Sequence, residues 1–277
     1  MAGLLMPGGL AAEFASRSGP EGKHPSAPLL EFAVQDAAGA RIAADVGASR
    51  VELCAALGST GGLTPSIGAV SQSVETGIPV HVLVRPRAGG FVYSDEECSL
   101  IEADVRAALR AGASGVVVGA LTPGGKIDAG ALVRFVAAAR EEAPDCDVTF
   151  HRALDTALAA GFPVEDLLAT LSELGVDRVL TSGGALDCRA GLPVLRALVQ
   201  ASRAMDLPVQ IMAGGGVRVR DLEDLALSGV DAIHLSARRG PAADRDGTPG
   251  QASVAYEHTD ASLASEVASR LRELAAR

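Results

Sequence analysis

One repeat constrains this chain more than any other feature. A short apolar, β-prone run, then a polar or glycine turn, then a helical stretch recur eight times from Leu29 onward. The runs fall at residues 29–34, 50–54, 80–86, 115–121, 147–153, 178–183, 209–217 and 232–238. The helical stretches fall at 35–46, 65–75, 95–111, 128–143, 164–174, 185–205, 221–227 and 262–276. Within 95–111, Leu100, Ile101, Val105, Ala108 and Leu109 sit near helical spacing, which predicts one buried face. Gly47, Gly112, Gly175 and Gly229 stand just past helical stretches, where glycine supplies a left-handed cap. Eight such units in about 250 residues are the count and size of a TIM barrel. An open doubly wound sheet would show fewer units or a glycine fingerprint in its first turn. The expected fold is therefore α/β, a single (β/α)8 TIM barrel over residues 29–277.

Residues 1–28 are rich in Gly, Ala, Ser and Pro and read as a flexible N-terminal extension. The apolar stretch at 4–6 is too short for a signal-peptide core, and no basic residue precedes it. No apolar run approaches the roughly 20 residues of a membrane-spanning helix, so no membrane partner is expected. The net charge is -10, with two Tyr and no Trp. A nucleic-acid binder needs a basic face and stacking aromatics, so that class is set aside. Lys23 and Lys126 are the only lysines, and neither ends a predicted strand. Schiff-base chemistry needs a buried amine at such a place. Cys54, Cys98, Cys146 and Cys188 are far apart, with no C-x-x-C pair. This spacing argues against a zinc knuckle or a disulfide scaffold, and free thiols fit a cytoplasmic protein.

In such a barrel, functional groups gather at the carboxyl ends of the strands. Alternation along a strand places Glu52 with Cys54, His81 with Leu83 and Arg85, Thr149 with His151, and His234 with Ser236. If these faces point inward, Glu52, Arg85 and His151 converge at the barrel mouth, and Glu31 can join them. Residues 149–155 concentrate His151, Arg152 and Asp155. His151 is then a general acid or base, because imidazole titrates near neutrality. Asp155 or Glu52 would orient it, and Arg85 would stabilise developing negative charge. The plain alternative is that Glu52 and Arg85 form a buried ion pair filling the barrel. His81 and His234 read as structural. A hard divalent metal between Glu52 and His151 is a thinner option.

Gly214, Gly215 and Gly216 end the seventh run, and Ser236 and Arg238 end the eighth. Turns after strands seven and eight are the usual phosphate site of this fold, where backbone N–H groups point at an anion. Thr64 reads as a helix cap with Pro65 at the first helical position. The loops at 58–66, 85–90 and 240–261 are candidates for segments that close over a ligand.

Several pieces together resemble the CutC family. They are Arg50-Val51-Glu52-Leu53-Cys54, Gly61-Gly62-Leu63-Thr64-Pro65-Ser66, Arg85-Pro86-Arg87 with Gly89-Gly90, and Tyr93-Ser94-Asp95. Further along stand Thr149-Phe150-His151-Arg152-Ala153 with Asp155, and Arg178-Val179-Leu180-Thr181-Ser182-Gly183. Last come Met212-Ala213-Gly214-Gly215-Gly216-Val217 and His234-Leu235-Ser236-Ala237-Arg238. The resemblance implies a cytoplasmic TIM barrel concerned with copper homeostasis, with copper(I) held by cysteine. Cys54 is then the metal ligand, with His151 or Met212 near it. Ala33 stands where family members commonly carry a first-strand cysteine, so only Cys54 remains of a thiol pair. Two functions follow as expectations: a copper-handling protein, or a TIM-barrel enzyme acting on a small anionic, phosphorylated metabolite. The expected partner is thus a small anion or a metal ion. A scaffold that binds a partner on its outer surface is a weaker third, and a homo-oligomer stays open.

Overall fold

The computed structural model describes residues 27–239 and 257–276. The expected flexible extension lies almost wholly outside them, as does most of the loop at 240–261 read as a lid. Eight parallel strands close into a barrel in sequence order, with the last paired to the first. They are β1 Leu29–Val34, β2 Arg50–Leu53, β3 Val80–Leu83, β4 Gly115–Val118, β5 Asp147–Phe150, β6 Arg178–Thr181, β7 Gln210–Gly214 and β8 Ala232–Leu235. A short antiparallel ribbon pairs β9 Arg238–Arg239 with β10 His258–Thr259.

The helices are α1 Ala37–Asp45, α2 Leu57–Thr60, α3 Ile67–Val74, α4 Asp95–Arg110, α5 Ala129–Glu142, α6 Ala153–Ala159, α7 Val164–Glu173, α8 Leu192–Ala204, α9 Leu222–Leu227 and α10 Ala261–Ala275. Their starts follow side-chain chemistry. Ser94 and Glu97 close a reciprocal capping box on α4, and Asp36, Asp128 and Asp260 cap α1, α5 and α10. At α3 the sequence expectation is off by two residues. Ser66 is the cap, accepting from Ala69 N–H, and the helix begins at Ile67. Thr64 instead joins the loop to β3: its backbone N–H donates to the Arg85 carbonyl and its Oγ1 accepts from the Arg85 N–H. Gly47, Gly112, Gly175 and Gly229 all take left-handed φ values, between +78° and +96°.

Alternation sorts the strand residues into two environments. Outward-facing Phe32, Val51, Leu53, Val82, Val116, Phe150, Val179, Ile211 and Ile233 pack with the helices into one large apolar core. The inward face is mostly polar. Glu31, Arg50, Glu52, His81, Thr149 and Arg178 are all buried within the barrel strands. Among the described residues two small apolar clusters interrupt them: Cys54 with Leu83 and Val117, and Leu180 with Met212 and Ala232.

Candidate functional site

Strand register brings charged residues together inside the barrel. Glu31 lies beside Arg50 on one side and His234 on the other. Arg50 Nε donates to Glu31 Oε2, and Arg50 Nη2 reaches Met212 Sδ at 3.3 Å. The other Glu31 oxygen, Oε1, sits 2.7 Å from His234 Nδ1. Deeper in the barrel, Arg178 bonds Gln210 Oε1 at 2.7 Å, Asp147 Oδ2 at 3.2 Å and Thr149 Oγ1 at 3.3 Å. His81 Nε2 lies 3.7 Å from the same Asp147 oxygen.

At the carboxyl ends of the strands these groups open into a cavity of about 300 Å³. Glu52, Arg85, His151, Gly215, Gly216, Ser236 and Arg238 line it, so seven of the residues expected at the mouth do meet there. Ala33, Phe91, Arg152, Leu180 and His234 complete much of the wall. Gly214 lies behind it in β7, where a Cβ would stand 2.4 Å from Leu180 Cδ1 and 3.0 Å from His234 Cδ2. Asp155 is turned away from His151. It accepts from Arg152 Nε at 2.7 Å, the Ser182 N–H at 2.9 Å and the Gly184 N–H at 3.0 Å. Cys54 is also outside the cavity wall. Its thiol donates to the Val34 carbonyl at 3.6 Å, and burial, with the Glu52 charge, pushes its pKa far up.

His151 is held by the chain that follows it. The Ala153 N–H donates to His151 Nδ1 at 3.2 Å, so the ring proton must sit on Nε2. That nitrogen is buried and has no partner. Burial, with Arg85 nearby, lowers the imidazole pKa to about 3, and the ring is neutral at ordinary pH. Gly119, at the end of β4, makes room for it: a Cβ there would lie 2.5 Å from His151 Cε1 and Nδ1. Phe91 packs on the ring with centroids 4.7 Å apart. Arg85 lies 5.3 Å from the Phe91 centroid. It donates to the carbonyls of Thr60 at 2.9 Å, Gly62 at 3.0 Å and Gly89 at 2.7 Å, which leaves its Nε buried and unpartnered.

Burial raises the Glu52 pKa to about 7, and the Glu31 charge adds to the rise against the pull of His234. Burial also opposes the Glu31 charge, but Arg50 and His234 prevail and hold that carboxyl below the usual range. His234 is raised: burial acts against its charge, and Glu52 and Glu31 outweigh it. Glu31, Glu52 and His234 each offer one ligand atom, all within 4.8 Å of one another, and could hold a metal ion. His234 is therefore more than the structural histidine expected from the sequence, because it lines the cavity. The signal was present: His234 and Ser236 share a strand face, and Glu31 is a lone acid in an apolar run. What was not readable was their pairing, which spans 203 residues and needs the barrel to close.

At the rim, Arg152 donates to Asp155 and, through Nη2, to Ser182 Oγ at 3.0 Å. Arg238 pairs with Glu257. Gly215 and Gly216 both have positive φ, at +124° and +65°. Their N–H groups, like that of Ser236, make no hydrogen bond among the described residues.

The model of the CutC family matches residues 28–239. A family protein CutC of Xylella fastidiosa (strain 9a5c) is 41% identical over 220 residues, covering 79% of this chain and 78% of the relative. The copper homeostasis protein cutC homolog of Homo sapiens is 42% identical over 217 residues, covering 76% and 73%. Among solved structures, a CutC protein of Streptococcus agalactiae is 29% identical, with a TM-score of 0.64, covering 76% of this chain and 98% of that one. A Burkholderia cenocepacia protein described as a phosphonomutase is 22% identical with a TM-score of 0.56, covering 77% and 88%, and shares the fold.

Proposed function

The chain belongs to the CutC family, and from that premise we propose that its barrel mouth is an enzyme site for a small anionic metabolite. One observation carries the reading. Among the described residues, seven buried side-chain polar atoms lack a partner, and three of them belong to residues of this one cavity: Glu52 Oε2, Arg85 Nε and His151 Nε2. Buried polar groups without partners are costly. Two donors and an acceptor left open in one pocket fit a polar ligand that completes them.

The donors suit an anion. Arg85 is cationic, and His151 is a neutral imidazole with its Nε2–H free. This changes the part expected for His151. With a pKa near 3 it is a poor proton carrier at neutral pH. It works instead as a hydrogen-bond donor to an oxygen on which negative charge develops, as Arg85 does. Phe91, packed against both, keeps water from that side. The free N–H groups of Gly215, Gly216 and Ser236, with Arg152 and Arg238, form a rim suited to a phosphate or carboxylate. Glu52, in the wall of the same cavity, supplies an open acceptor.

Copper(I) fits these residues poorly. It prefers soft sulfur ligands, and Cys54 is buried with its thiol bonded to Val34. Ala33 stands in the cavity wall where a second thiol would be needed. Met212 Sδ is engaged by Arg50.

The test is titration with inorganic phosphate, followed by calorimetry. Saturable one-to-one binding is expected, weakened roughly tenfold or more by Arg152→Ala and unchanged by Cys54→Ser, since one charged hydrogen bond contributes about 1.5–3 kcal/mol. Equal, non-saturable heats from both variants and the parent protein would sink the proposal. Copper(I) affinity is expected to be the same with and without the Cys54 thiol. A large drop in Cys54→Ser would restore the copper reading.

A further inference from the structure

We propose that Glu31, Glu52 and His234 bind one divalent cation of the Mn²⁺, Zn²⁺ or Mg²⁺ class at the floor of the barrel mouth. The three side chains come from β1, β2 and β8, which are adjacent in the closed barrel, and each presents one ligand atom within 4.8 Å of the others. Ligand bonds of about 2.0–2.2 Å allow donors to stand up to about 4.4 Å apart across a cation. Small side-chain rotations therefore bring all three atoms within ligand distance of one ion.

A second observation points the same way. Glu52 is 5% exposed, and its Oε2 has no partner although it belongs to the cavity wall. A buried carboxylate oxygen without a partner, in a residue whose ligand atom lies within 4.8 Å of those of a second carboxylate and an imidazole, is an environment that a cation relieves.

The surroundings support the site. Arg50 holds Glu31 by Oε2, in the way that outer-shell partners fix metal ligands. Two carboxylate oxygens and an imidazole nitrogen suit hard or borderline divalent ions and not copper(I). The cavity above leaves coordination positions open for water or a ligand. Where the open position takes an anion, its far end meets the Arg85 and His151 donors; this part rests on the function proposed above.

The experiment uses the full chain, stripped with a chelator and titrated with Mn²⁺ alone, with free Mn²⁺ read by electron paramagnetic resonance. One saturable site is expected. Glu52→Gln and His234→Ala should each weaken it roughly tenfold to a hundredfold or more, the scale on which even outer-shell partners act. Cys54→Ser should leave it unchanged. Glu52→Gln keeps the side-chain shape, so a folded variant is expected, and its circular dichroism should match the parent. No saturable binding of Mn²⁺ or Zn²⁺ to the parent protein, or equal binding by Glu52→Gln, would overturn the proposal. Phosphate titration of the metal-free protein reads the rim separately, so the two ideas fail independently.

Discussion

At the scale of single residues, His151 shows how the backbone sets a side chain's chemistry. The Ala153 N–H fixes the tautomer, Gly119 gives the ring its space, and burial keeps it neutral. Gly119→Ala should displace the imidazole, because a Cβ 2.5 Å from two ring atoms cannot be accommodated without movement. Phosphate affinity should then fall while the fold is kept, as calorimetry and circular dichroism would show. The lowered pKa also has a consequence for stability. The unfolded chain protonates its imidazole near pH 6.5, whereas the folded chain resists until about pH 3. Above pH 6.5 both states bind the same number of protons here. As the pH falls from 6.5 towards 3, the unfolded state gains a proton that the native state refuses, and stability drops. His151→Asn retains an acceptor for Ala153 N–H but does not titrate. The urea midpoints of the two proteins should therefore converge, or cross, between pH 7 and pH 4. Parallel midpoints across that range would show that the ring is not held neutral.

At the scale of elements, one guanidinium links two of the loops at the mouth. Arg85 follows β3 and bonds Thr60 and Gly62 in the β2–α3 connection and Gly89 in the β3–α4 connection. Lysine would keep the charge but not the planar fork. Arg85→Lys should therefore loosen both connections: faster hydrogen exchange at residues 58–63 and 87–91, with β3 itself protected as before. Unchanged exchange would mean that the loops hold by themselves. The strands that carry these loops were readable because their outward faces are Val, Ile and Phe and their inward faces carry isolated polar residues. The shorter elements were not. Residues 57–60 contain Gly58, Ser59 and Thr60, which read as loop, and form one helical turn. Ala153 continues the apolar run of β5 in the sequence, yet it opens α6 after two connecting residues, His151 and Arg152. Thr64 and Ser66 are both competent caps, and the sequence cannot choose between them. Thr64 is taken by Arg85, so Ser66 caps.

For the molecule as a whole, the unusual feature is a barrel filled with charge. TIM barrels are normally packed with layers of branched apolar side chains, and here Arg50, Glu31, His81 and Arg178 occupy that space. Arg50 and Glu31 are 4% and 0% exposed, so each depends on the other for compensation. Removing one member of such a pair strands a buried charge and typically costs about 3–5 kcal/mol, whereas replacing both by apolar groups is often neutral. Arg50→Met alone should be strongly destabilising, and Glu31→Met combined with it should recover much of the loss in urea unfolding. The double variant should nevertheless lose Mn²⁺ binding, because Glu31 is a proposed ligand and also the partner of His234. That separation is informative. If the double variant is stable and no longer binds metal, the charges are kept for the site at the mouth and not for the barrel's stability. If it is as unstable as the single variant, the charged interior is itself part of what holds the eight strands closed.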